Sequence, residues 1–301
     1  MKIDLTEFSH PPGMSIPNPE IRGTEAVWLP PEAIEPRSSA TERVGHTFRK
    51  MAELVNTASQ AELLEALEGK LLAGDGFSVA TLNLDHLVKL REVPAFRDAY
   101  ARHSHVVADG WPVVALRRLA GQPVELVPGS DLVSPLMALA ARLGVPVAFL
   151  GGTEATLRLA AERLATAHPG LQVVACIAPP FGLDPDSDAA DAALAEVARS
   201  GARLCLLALG APRQERLAVR AQDRLPSCGF VSIGAGLDFI AGSQRRAPHW
   251  MRRMGLEWLW RMLSNPRRLA GRYARCALIL PKLTVAAVGM RRKQREGLRL
   301  S

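Results

Sequence analysis

Residues 203–216, Arg-Leu-Cys-Leu-Leu-Ala-Leu-Gly-Ala-Pro-Arg-Gln-Glu-Arg, join an apolar run to a polar turn of a kind that handles anions. Leu204 to Leu209 reads as a buried strand that stops at Gly210, and Pro212 stands where a helix can begin. A glycine there lets backbone approach a ligand, and the next helix N-terminus offers free N–H groups to an anion. Gln214 and Glu215 then fall in the first helical turn, facing the same crevice. The plainer reading is a βα turn with a capping Glu, and spacing alone leaves both open.

Other strand ends repeat the pattern. Thr81 and Asn83 close the run 77–82, although Asn83 or Asp85 can equally be a helix cap. Asp109-Gly110 follows the short run 105–108, where an Asp is either a cap or a general base. Ser130 or Asp131 reads as the N-cap of a helix reaching Leu143. Gly151-Gly152 ends the run 145–150, a geometry that seats a phosphate on backbone N–H groups, without the Gly-Lys-Ser/Thr of a Walker loop. Phe181 in Pro179-Pro-Phe-Gly182 either stacks on a base or sugar or belongs to the core. Asp238 in Gly234-Ala-Gly-Leu-Asp can accept hydrogen bonds from a ribose or a uracil N–H. That segment is half a dinucleotide fingerprint, without the third glycine or the later acid, which argues against a Rossmann oxidoreductase. Asp184, Asp186 and Asp188 fail as a calcium loop, with Ala189 at its sixth position and Ala195 at its twelfth, and read as a solvated helix N-terminus.

The elements that must position these residues alternate. Strand-like runs are followed by helical ones about six times, after one long amphipathic helix predicted over 48–72. This predicts a doubly wound α/β fold, a mostly parallel sheet with helices on both faces. Thr81, Asp109, Gly152, Gln214 and Asp238 all fall at or just after strand ends, so the carboxyl edge of the sheet gathers them at one crevice. Residues 1–45, with seven prolines, read as an extended, poorly ordered leader; 46–244 as the α/β catalytic domain; and 245–301 as a basic, Trp-rich helical appendage.

Composition narrows the class. The 48% hydrophobic and 22% charged content is that of a folded, soluble chain. Four scattered cysteines without a CxxC pair argue against a zinc site or a disulfide scaffold. No secretory h-region is evident and no stretch of 18 clean apolar residues exists, so no spanning helix is expected; the apolar stretch 276–290 is broken by Pro281-Lys282. The net charge of +7 is uneven: residues 245–301 hold 15 bases and two acids, and the remainder is net negative. Bases interleaved with Trp250, Trp258 and Trp260 suit the headgroup layer of an anionic membrane. They suit single-stranded nucleic acid less, because the apolar stretch has no use there. The tryptophans also admit an ordinary core reading.

Thr81-Leu-Asn83, Ala108-Asp-Gly110, Pro128-Gly-Ser-Asp-Leu132, Gly210-Ala-Pro-Arg-Gln-Glu215, Gly234-Ala-Gly-Leu-Asp-Phe239 and Arg246-Ala-Pro-His-Trp250 with Gly255-Leu-Glu-Trp258 occur in one order. In that order the chain resembles the WecG/TagA/CpsF glycosyltransferases over about residues 48–275. The resemblance implies an enzyme, peripheral on the cytoplasmic face of the membrane, that moves a sugar from a UDP-sugar to a polyprenyl-diphosphate-linked sugar. It implies inversion, no cofactor and no metal requirement, in the assembly of bacterial cell-envelope or exopolysaccharide glycans. It assigns catalysis to Asp109, as base, and Thr81. It places Asn83, Gln214 and Asp238 at the donor and Arg261, Arg268 and Arg272 at the lipid diphosphate; the strand-end turns add Gly151, Gly152, Phe181, Gly210 and Glu215 as expected donor contacts. The chain departs from the usual pattern at Arg213, Leu217, Leu126 and Leu237, which stand where Lys, an aromatic, Arg, and Phe or Ala are common. Gly152 N–H groups and arginines are expected to steady the departing UDP, and Asp109 to have an ordinary carboxylate pKa. No nucleic acid is expected as a partner, and self-association is left open. The alternative function is a membrane-docked nucleotide-sugar-binding or scaffold protein without catalysis.

Overall fold

The computed structural model describes residues 53–300 apart from 249, 252 and 253; the side chains at 268 and 297–300 also lie outside that description. The proline-rich leader, 1–45, lies outside the described residues.

The first half of the chain runs α1 (Gln60–Ala73), β1 (Phe77–Leu82), α2 (Leu84–Glu92), α3 (Pro94–Arg102), β2 (His105–Ala108), α4 (Trp111–Leu119) and α5 (Gly129–Leu143). The second runs β3 (Val147–Leu150), α6 (Glu154–Ala167), β4 (Val173–Ile177), α7 (Asp188–Arg199), β5 (Leu204–Leu207), α8 (Arg213–Arg224), β6 (Gly229–Ser232) and α9 (Gly236–Ala241). Two helices close the chain, α10 (Glu257–Ser264) and α11 (Pro266–Leu300).

All strand pairs are parallel, in the order β2-β1-β6-β5-β3-β4. The pleat sends alternate residues to opposite faces. Phe77, Val79, Phe149 and Leu206 pack under α1, α5, α6 and α9. Ala80 and Leu82 face α2, α3, α4 and α11, while Leu150 and Leu207 face α7 and α8. The sheet is therefore covered on both faces, as predicted, and every strand's carboxyl end lies on one edge.

Three local expectations change. The helix expected over 48–72 is interrupted before Ser59, whose hydroxyl accepts the Glu62 N–H while the Glu62 carboxylate accepts the Ala58 N–H. The N–H groups of Asn56 and Thr57 instead donate to the Val106 carbonyl, and the Asn56 side chain accepts the Val106 N–H at 2.7 Å. A capping sequence thus frees this segment to cover the exposed edge of β2. Neither Ser130 nor Asp131 caps α5, because its N-cap is Pro128; Asp131 instead pairs with Arg246. Pro281 does not break the C-terminal helix, which continues through it, and Leu269–Glu296 is long and apolar enough to cross a membrane by length and composition. One side of this helix, with Cys276, Leu283 and Ala287, is buried, while Leu278 and Val285 stay exposed.

Candidate active site

Asp109 is placed by backbone pairing. β1 and β2 run in register from Val79 with His105 to Leu82 with Ala108, so one step further Asn83 stands opposite Asp109. The Asp109 N–H donates to the Leu82 carbonyl at 2.8 Å, and the Asn83 side chain hydrogen-bonds the Asp109 carboxylate. Asn83 is also the N-cap of α2, accepting the His86 N–H at 3.0 Å, so the cap and ligand readings are compatible. Thr81, 4% exposed, lies on β1 two residues before Asn83, and its carbonyl accepts from the Tyr100 hydroxyl.

The expectation of an ordinary Asp109 pKa does not hold. Desolvation, with the neighbouring Glu257 and Asp131 charges, pushes it up to about 6 against the lowering effect of Arg261 and the Asn83 hydrogen bond. The causes are informative in themselves: Glu257 and Arg261 belong to α10, at the far end of the sequence. Their helix is held here by Gly255, whose α-carbon lies so close to the Trp111 ring that a β-carbon would collide with it. Trp111 begins α4 directly after Asp109-Gly110.

Arg246 is the hub of this corner. It pairs with Asp131, lies 3.7 Å from the Glu257 carboxylate through Nε, and stacks 5.7 Å over the Phe239 ring. Its buried Nε and Nη2 have no hydrogen-bond acceptor among the described residues. Asp131, Arg246 and Glu257 were not among the predicted site residues; their only signal was membership of the Pro-Gly-Ser-Asp and Arg-Ala-Pro…Gly-Leu-Glu-Trp motifs. Arg261, which was predicted, makes no ion pair among the described residues. Arg272 is 3.1 Å from the nearly buried Asp85. The side chain of Arg268 lies outside the described residues.

Gln214 joins two strand ends. Its amide oxygen accepts the N–H groups of Gly210 and Gly234, both at 3.2 Å, and its amide nitrogen donates to Glu215 at 2.8 Å. Glu215 is fully buried, and desolvation pushes its pKa up to about 7. It neither caps α8 nor faces an open crevice, so the expectation for it is corrected: it braces Gln214 from below. Asp238 accepts from Ser243 at 3.1 Å and Gln244 at 3.0 Å, tying that loop back to α9.

Gly151 is needed where it stands. Its φ is 120°, and a β-carbon would lie 2.5 Å from the Ala208 carbonyl oxygen after β5. Gly152 opens onto free space beside α6, whose N-cap is Thr153. Strand order, however, sets Gly152 four spacings from β2, on the order of 19 Å. Phe181, wholly exposed after edge strand β4, is not core and is not gathered with Asp109. Trp250 and Trp258 are exposed too, which removes the core reading for both. Asp186 pairs with Arg216, and Asp191 with Arg220 and Arg224.

The assembled edge offers a carboxylate of raised pKa, glycine turns braced by Gln214, and arginines from the C-terminal segment. That is the equipment of group transfer from a phosphate leaving group. The family model for the glycosyl transferase WecG/TagA/CpsF family matches residues 51–297, across every strand and both closing helices. The chain therefore belongs to the WecG/TagA/CpsF glycosyltransferase family, whose members take a nucleotide-sugar donor and a glycan acceptor in polysaccharide or cell-envelope biosynthesis.

Proposed function

We propose that this protein transfers a sugar, with inversion, from a UDP-sugar to a polyprenyl-diphosphate-linked acceptor sugar, with Asp109 as general base. The observation that carries this reading is the meeting of Asp109 with Arg261 and Glu257, because it puts the C-terminal segment within electrostatic reach of the base. A carboxylate titrating near 6 is mostly ionised at pH 7, yet has a higher proton affinity than an ordinary Asp. It takes the proton of the acceptor hydroxyl as that oxygen attacks the anomeric carbon, and UDP leaves from the opposite face. Asn83 fixes the carboxylate, and Thr81 lies beside the donor.

The leaving diphosphate gains charge, which Arg261 and the unsatisfied Arg246 nitrogens are suited to receive. The distance to Gly152 moves that turn away from the leaving group, to the nucleoside end of a donor laid along the turns after β6 and β5. Asp238 and the Gln214-braced glycine turns line that path. We assign 46–244 to the catalytic domain and 245–301 to an appendage that completes the site from the membrane side. Exposed Trp250, Trp258, Leu278 and Val285, with the surrounding arginines, fit a peripheral seat on an anionic cytoplasmic leaflet.

The test is UDP release from a panel of UDP-sugars, with and without a short-chain polyprenyl-diphosphate-linked sugar in detergent. Release with one donor, dependent on acceptor, is expected. No release from any pair, together with no UDP binding by calorimetry, would overturn the reading.

A further inference from the structure

The predicted diphosphate arginine Arg272 is already engaged. Its Nε lies 3.1 Å from Asp85 Oδ1. The other Asp85 oxygen receives Lys89 Nζ at 2.6 Å, and the Asp85 side chain is 7% exposed. Lys89 Nζ also donates to the carbonyl of Ala211 at 3.2 Å. Ala211 belongs to the turn whose Gly210 N–H is held by Gln214. One buried carboxylate thus links α11, through Lys89, to the glycine turn after β5.

We propose that Asp85 is a positioning residue for that turn and that Arg272 acts through it: docking of the C-terminal helix orders the donor turn. Three features carry the inference. Asp85 sits in the first turn of α2, where its charge is favoured, and Lys89 follows four residues later, so the pair is held by one rigid helix. A lysine bound to a carboxylate keeps a fixed direction for its remaining N–H groups, and one meets a carbonyl that no helix or strand satisfies. The Asp85 oxygens are divided between the two cations, so removing Arg272 frees one oxygen to draw Lys89 off Ala211. Arg272 is thereby a residue of the appendage whose loss reaches the nucleotide side of the site, whereas an arginine that only grips the lipid diphosphate acts on acceptor alone.

The inference rests on the reading of the turn at 210–214 as part of the donor site, and the experiment separates the two. Hydrogen exchange of the peptide containing residues 208–218 is followed in wild type, Arg272→Gln, Arg272→Lys and Lys89→Met, in the full chain without ligand, alongside titration with UDP. Arg272→Gln is expected to speed exchange at 210–214 and to raise the UDP dissociation constant about fivefold. Arg272→Lys is expected to recover most of both, and Arg272→Gln to add little in the Lys89→Met background. Wild-type exchange in Arg272→Gln overturns the proposal whatever UDP does, as does full additivity with Lys89→Met. Faster exchange in a protein whose wild type binds no UDP upholds the link and overturns the donor reading instead.

Discussion

Replacing Asp109 with Asn should stabilise the protein at neutral pH while removing transfer. The carboxyl is pushed up from 3.8 to about 6 because ionising it there means desolvation beside Glu257 and Asp131. In the unfolded chain the same group ionises near pH 4. Its contribution to stability is therefore fully present below pH 4 and lost as pH rises through 6. The shift of about two units corresponds to about 3 kcal/mol, and screening in an open crevice reduces this to about 1–2 kcal/mol. Asparagine keeps the size and a hydrogen bond to Asn83 without the charge. For a domain of this length the gain is a rise of about 3–6 °C in Tm at pH 7.5. The assay is urea and thermal unfolding of both proteins from pH 4 to pH 8, with UDP release measured on the same preparations. The stability gap should be near zero at pH 4, open between pH 4 and 6, and stay level above, with turnover about 10²–10⁴-fold lower. A variant less stable than wild type at pH 7.5, or a gap that ignores pH, would refute the assignment of a strained, desolvated base. Retained turnover would remove Asp109 from the chemistry.

Other consequences follow from neighbouring groups. Glu257→Gln should move the acid limb of the kcat/KM profile to lower pH and Arg261→Gln to higher pH, because the two side chains push the Asp109 carboxyl in opposite directions; equal or absent shifts would place α10 too far from the base. Gly151→Ala should cost at least about 2 kcal/mol, since the new methyl meets the Ala208 carbonyl at 2.5 Å and the backbone is left-handed there; a wild-type Tm would show that the ends of β3 and β5 are not so close. His103 is buried against Tyr100 with neither ring nitrogen hydrogen-bonded among the described residues, and desolvation lowers its pKa to about 3. Its neutral form supports stability above pH 6.5 and that support is lost as pH falls, so His103→Phe should gain on wild type by about 1.4 kcal/mol per unit below pH 6.5. Urea midpoints at pH 7.5 and 5.5 check this, and an unchanged difference between them would contradict it.

The sequence by itself determined the frame. Alternating strand and helix runs specify a parallel sheet covered on both faces, and glycine and proline at the strand ends place the chemistry on one edge, because pleat period, turn chemistry and crossover handedness are local properties of the chain. It also brought out Asp109, Asn83, Gln214 and the basic C-terminal segment. Tertiary structure decided what those residues do to one another. Strand order put Asn83 opposite Asp109 but left Phe181 at the far edge, and no periodicity encodes strand order. The capping box at Ser59 was readable, yet only the open edge of β2 explains why the preceding segment leaves the helix. The pairs Asp131 with Arg246 and Asp85 with Arg272 join positions more than a hundred residues apart. Desolvation, which raises the Asp109 carboxyl to about 6 and the Glu215 carboxyl beside Gln214 to about 7, belongs to the surroundings of a side chain, and those exist only once the chain has folded.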